Sequence, residues 1–216
     1  MFIGHFALGF AAKKLAPKQS LAMLMLAPVW LDAVWPVLVA LGVERFRIVP
    51  GDTAFTPLAF DSYPWSHSLA MSVVWGLLLG GIVLLGTRDR SGARVIGALV
   101  VSHWVLDWIS HRPDMPLWPG GSKLGLGLWN SIPATLIVES LLFVAGVAMY
   151  LRCTRARDQA GRIGLWALIL LLAVSYLGSS FGPPPPNPYA VIGPALIASA
   201  AMPLWAWWID RHREVV

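Results

Sequence analysis

Six stretches of the chain are apolar over about 20 residues, long enough to cross a hydrocarbon core of roughly 30 Å as α-helix. They run from Ser20 to Gly42, Trp65 to Gly86, Val95 to Ser110, Trp129 to Leu151, Ile163 to Phe181 and Tyr189 to Ile209. Lipid offers backbone N–H and C=O groups no partner, so such segments satisfy themselves as helices. The expected fold is therefore all-α: a polytopic membrane bundle of about six transmembrane helices, with residues 1–216 forming one integral membrane domain. The third stretch is short and is expected to continue to His111 or Arg112, because Pro113 disfavours helix at the residue before it. The opening MFIGHFALGFA is too short to span and is expected to form an amphipathic or half-inserted helix carrying His5.

Composition agrees: 57% of residues are hydrophobic and 12% charged, whereas a soluble domain has roughly 25% charged residues. The single cysteine, Cys153, excludes a disulfide framework. With residues 13–18 in the cytoplasm and one crossing per stretch, 12 of the 16 lysines and arginines fall inside, leaving Arg45, Arg47, Arg112 and Lys123 outside. That asymmetry predicts a bacterial-type inner membrane protein with its N- and C-terminal basic segments cytoplasmic. It also accounts for the net charge of +5 without a nucleic-acid partner.

Asp32, His103, Asp107 and Glu139 are the ionisable residues well inside the six stretches, which hold no lysine or arginine; His67 lies at the edge of the second. A carboxylate at mid-membrane costs about 2.5–3.5 kcal/mol on insertion scales. Three of them need a counter-charge, and protons, a protonated histidine or a metal ion are the candidates. A helical rise of about 1.5 Å per residue sets all three acids at one level. His103, Asp107 and His111 follow one another at four-residue spacing, so two imidazoles and a carboxylate share one helical face. Mixed histidine and carboxylate donors suit zinc, with manganese or iron as alternatives. His5 and His67 also lie in or beside apolar segments, whereas His212, between Arg211 and Arg213, belongs to a solvated tail. Glu44, Asp52 and Asp61 are expected in solvent, Asp114 in a turn, and Trp104 and Trp108 in packing or lipid.

The segments Tyr63-Pro64-Trp65-Ser66-His67-Ser68-Leu69 and Ser102-His103-Trp104-Val105-Leu106-Asp107 resemble the paired signatures of the YdjM-like family of bacterial inner-membrane proteins. His5 and the Pro28-to-Asp32 element extend that resemblance across roughly residues 1–130. It implies a metal-dependent hydrolase. The residue order is also similar to that of zinc-dependent phospholipases C. This similarity implies that Asp32, His67, His103 and Asp107 hold one ion and that Asp107 bridges to a second held by His5. It further implies that His111 and Glu139 supply another ion or surround these two.

A hydrolase of this kind is expected to act on a phosphoester or lipid-like substrate, through one or two divalent ions that activate water, with Asp107, Asp32 and Glu139 as its catalytic carboxylates. Ser66, Ser68 and Asn130 are expected to position the substrate, and Arg112 and Lys123 to attract its anionic group at the outer mouth. The expected partners are membrane lipid and a small-molecule or lipid substrate. Two alternatives stay open. One is a proton- or cation-coupled transporter or channel built on the intramembrane acids. The other is a non-catalytic membrane protein whose structural metal has a closed four-ligand sphere.

Overall fold

A computed structural model describes residues 1–216. In chain order the elements are α1 (Ile3–Ala12), α2 (Leu21–Leu26), a 3-10 turn (Ala27–Val29), α3 (Trp30–Ala40), β1 (Arg45–Ile48), β2 (Leu58–Ser62), α4 (Pro64–His67), α5 (Leu69–Thr87) and α6 (Arg90–Ser110). They continue with β3 (Met115–Pro116), β4 (Lys123–Leu124), a 3-10 turn (Leu128–Asn130), α7 (Ile132–Cys153), β5 (Thr154–Ala156), α8 (Gln159–Phe181), α9 (Tyr189–Arg211) and β6 (Arg213–Val215). The strands pair as three antiparallel two-stranded ribbons, β1–β2, β3–β4 and β5–β6. Six helical segments are long and apolar enough to cross a membrane, α2 through α3 counting as one.

Helix starts follow from local chemistry. Ser20, Ser68, Asp89, Ser131 and Asp158 each accept a backbone N–H from the first turn of the helix they precede. The first span breaks at Pro28, where three residues wind as a 3-10 turn before α3 begins.

Glycine lets the helices approach closely enough to build a site. A Cβ on Gly76 would lie 2.8 Å from the Gly97 carbonyl oxygen, and one on Gly80 equally close to that of Ala93. The Gly76-x3-Gly80 face of α5 therefore seats α6 directly against it. Gly146 of α7 likewise meets the backbone of Ala7 in α1. As a result α1 is a core helix and not an amphipathic one. Eight of its ten residues are buried, and Phe6 and Phe10 pack with Phe143, Tyr150 and Leu168. Its sequence is apolar on all sides, which suits full enclosure rather than an interface.

α6 grows in the direction opposite to the expected one. It starts at Arg90 and stops at Ser110, with His111 already extended at φ −69° and ψ 152°. Asp107 thus sits within the last turn of the helix. The basic connections gather at one end of the bundle, where Lys13 pairs with Asp210, Arg155 with Glu214 and His212 with Asp158. His212 is therefore tied by a 2.7 Å contact and is not a free tail residue. The β1–β2 and β3–β4 ribbons lie at the other end.

Candidate metal centre

α1 supplies His5, α3 Asp32, α4 His67, and α6 both His103 and Asp107. Their donor atoms form two groups, His5–His103–Asp107 and Asp32–His67–His103, in each of which all atoms lie within 4.8 Å of one another. His67 Nε2 is 3.4 Å from Asp32 Oδ1 and 3.9 Å from Asp107 Oδ2. His103 Nε2 is 3.7 Å and 3.0 Å from those same oxygens, and 3.2 Å from His67 Nε2. Neighbouring donors held roughly 2.1 Å from one tetrahedral ion stand about 3.4 Å apart. The observed separations bracket that spacing, so Asp32, His67 and His103 fit one ion, and His103 joins it to Asp107 and His5.

Proton placement strengthens the fit. His103 Nδ1 donates to the Pro28 carbonyl at 2.8 Å. His67 Nδ1 lies 2.7 Å from Ser66 Oγ, whose single proton goes to Glu44 Oε2 at 2.6 Å. The serine oxygen therefore accepts from His67, and both rings turn a lone pair on Nε2 toward the cluster. Two imidazole lone pairs and two carboxylate oxygens then face one another. Buried acceptors in contact are costly. One proton relieves one such contact, whereas a cation among Asp32, His67 and His103 satisfies three donors at once. Imidazoles with Nδ1–H anchored on an acceptor are the usual arrangement of metal-binding histidines. His5 differs: its Nε2 is 3.0 Å from Asp107 Oδ1, its ring stacks on His103 at 3.9 Å, and its Nδ1 is buried without a partner.

Counter-charges appear that counting lysines and arginines in the spans does not reveal. The α-amino nitrogen of Met1 bonds to Asp107 Oδ1 and, at 3.0 Å, contacts Ser110 Oγ. Glu139 Oε2 accepts the N–H groups of Phe2 and Gly4 at 2.7 Å and 3.1 Å, capping α1. Glu139 belongs to neither donor group, and its carboxylate anchors the helix bearing His5. His111 also falls outside both groups, with Nε2 3.8 Å from Asp107 Oδ2. Its Nδ1 is 3.0 Å from Asp114 Oδ1, which also accepts the Tyr63 hydroxyl. Burial pushes the Asp114 carboxyl up, but the bonds from His111, Tyr63 and Arg112 outweigh it and hold the group below the ordinary aspartate range.

The residues expected to position substrate fall elsewhere. Ser66 and Ser68 are fully buried, the first between Glu44 and His67 and the second capping α5. Ser66 orients His67, and neither serine faces an open surface. Arg112 is bound to Asp52 at 2.7 Å and to Asp114 at 3.2 Å. Lys123 reaches the Asp61 carbonyl at 3.5 Å, and Asn130 is exposed at the end of its 3-10 turn. Glu44 is 1% exposed instead of solvated, because the backbone N–H groups of Trp65 and Ser66 close on its Oε1. Asp52 is also drawn in, by Arg112. Trp104 is buried and donates to the Pro116 carbonyl at 3.0 Å.

The family model for YdjM inner membrane protein matches residues 64–182. That segment contains His67, His103 and Asp107, while His5 and Asp32 precede it. No curated protein and no solved structure matches the chain. A match across more than half of the sequence, carrying three of the five converging donors, is decisive: this chain belongs to the YdjM inner membrane protein family.

Proposed function

We propose that the protein is a metal-dependent hydrolase of the inner membrane that acts on a phosphoester or lipid-like substrate. The observation that supports this reading is a converging donor set with one open side. The side chains of His67, His103 and Asp107 are at most 4% exposed, whereas that of Asp32 is 48% exposed and lines a cavity of about 650 Å³. A purely structural ion is enclosed on every side.

Asp32, His67 and His103 would hold one ion beside Asp107, with zinc the best match to the donors and manganese or iron next. Asp107 Oδ1 and His5 would hold another, which would take the place of the Met1 amino group at that oxygen. A divalent ion there supplies Lewis acidity and lowers the pKa of water toward about 7. The protein's own groups do the rest. Asp32, facing the cavity, takes the proton of the attacking water. The P–O ester bond then breaks, and that proton passes to the departing alcohol oxygen. Asp107 is held between His103 and His5, while Pro28 and the Glu44–Ser66 pair keep the His103 and His67 imidazoles aimed inward.

Toward the basic end, α6 presents Ile96, Leu99 and Val100, packed on Leu24, Ala27 and Leu31. This apolar layer favours chemistry at one face over a proton or cation path through the bundle. The positive-inside rule assigns the basic end to the cytoplasm, which opens the cavity to the outer half of the membrane. The test is turnover by purified protein loaded with Zn²⁺ or Mn²⁺, on bis(p-nitrophenyl) phosphate and on phospholipid. Hydrolysis that vanishes in Asp32→Asn and Asp107→Asn supports the reading. Equal turnover in Asp107→Asn and the parent overturns it.

A further inference from the structure

The cavity that reaches Asp32 has a composition of its own. It lies between α3, the loop around residues 50–58, the end of α8 and the first half of α9. Along α9 its wall is Val191, Pro194, Ala195, Ala198 and Met202, a stripe at helical spacing that covers about 16 Å at 1.5 Å per residue. The opposite face of α9 carries Ile197, Leu204 and Trp207, all exposed. Small side chains thus face inward and bulky ones outward, which hollows a trough beneath the helix. Gly178 of α8 continues it, since nothing lies within 4 Å of a Cβ built there.

Asp32 is the one ionisable side chain on this wall. The hydroxyls of Ser179, Ser180 and Ser199 are turned away from any guest. Ser179 and Ser180 donate to the Tyr176 carbonyl at 2.8 Å and 2.7 Å, and Ser199 to that of Ala195 at 2.7 Å. A sugar, nucleotide or free anion would find no cation along this trough and few free donors beyond the Trp35 indole N–H and Ser175, so most of its polar groups would be desolvated without replacement. A hydrocarbon chain gains from every apolar surface it covers. At about 650 Å³ the volume falls within the roughly 300–1,000 Å³ of small-ligand pockets.

We infer that this trough holds an acyl chain of a membrane phospholipid, laid along α9 with its phosphoester head at Asp32. Assigning the head to Asp32 rests on the hydrolase reading above, but the chain site can be tested without it. The full-length protein is reconstituted in nanodiscs containing a phosphatidylglycerol with a photoreactive diazirine near the end of one acyl chain. After illumination, adducts are mapped by mass spectrometry. Adducts concentrated on residues 175–182 and 190–203 are expected. Ala198→Phe and Gly178→Leu, which fill the trough from its two walls, are each expected to lose most of that labelling. Labelling at the lipid-facing Ile163 and Leu170 and metal content should stay at parental levels in both. Adducts spread evenly over the lipid-facing helices, or trough labelling unchanged in both variants, would overturn the assignment. Trough labelling that persists in Asp107→Ala, with no phosphoester turnover in the parent, would leave the chain site standing and remove the hydrolase reading. Turnover without trough labelling would remove the chain site alone.

Discussion

Glu44→Gln is a near-isosteric change that alters one proton position. In the parent, Glu44 Oε1 accepts two backbone N–H groups at 2.8 Å, and Oε2 accepts the Ser66 hydroxyl at 2.6 Å. A glutamine keeps its carbonyl on the two N–H groups and presents NH₂ to Ser66. The serine proton then turns to His67 Nδ1, which forces the ring proton onto Nε2, where the metal-facing lone pair was. Loss of an orienting partner of this type typically costs about 10–100-fold in metal affinity, or roughly 1.4–2.7 kcal/mol. The apo fold loses one charge-assisted hydrogen bond, about 1.5–3 kcal/mol. Competition against a chromophoric chelator measures the first quantity, and thermal unfolding with chelator present measures the second. Ser66→Ala is expected to shift affinity in the same direction, because it leaves His67 Nδ1 without its acceptor. Zn²⁺ affinity equal to the parent's in both variants would refute the Glu44–Ser66–His67 relay.

Four further outcomes follow from the same structure. Gly80→Leu should destabilise the protein by about 1–3 kcal/mol through overpacking against Ala93, measured by thermal unfolding in detergent. Gly81→Leu, where an added Cβ meets nothing within 4 Å, should leave stability unchanged. Chelator should lower the melting temperature of the parent and not that of Asp107→Ala, since saturation at 100 times Kd stabilises by about 2.7 kcal/mol. The Arg47 guanidinium, through its hydrogen bonds, holds the Asp61 carboxyl below the ordinary aspartate value. Its contribution to the β1–β2 ribbon is therefore present above that value and fades as pH falls through the lowered one. Hydrogen exchange in residues 45–62 should quicken in acid for the parent, while Asp61→Asn shows no such step. Cysteines placed at Lys14 or Arg155 should resist an impermeant maleimide added to intact cells, and one at Lys123 should react.

What could be read from the sequence was local. Apolar length marks a span wherever the chain goes, and the four-residue step from His103 to Asp107 puts both on one helical face under any packing. The Ser and Asp caps before α5, α6 and α8 are local too. What could not be read depends on contacts distant in sequence. Glu44 meets Ser66 only because the β1–β2 ribbon folds back across 22 residues, and no spacing rule marks that pairing. The enclosure of α1 depends on Gly146 admitting the Ala7 backbone, a property of α7 that the first twelve residues do not carry. Glu139 was visible as an acid in a span. Its role as a cap needed the N-terminus of α1 brought to it from 135 residues away. His111 leaves the helix one residue before the Pro113 rule requires, because its Nδ1 is drawn to Asp114.

The central claim is that the converging histidines and aspartates form a metal centre. Elemental analysis coupled to X-ray absorption on protein purified without chelator tests it most directly. The account predicts at least one transition-metal ion per chain, with nitrogen and oxygen ligands at about 2.0–2.2 Å, and loss of that ion in His103→Ala. A parent protein that takes up no transition metal on loading, or an ion retained unchanged in His103→Ala, would contradict it.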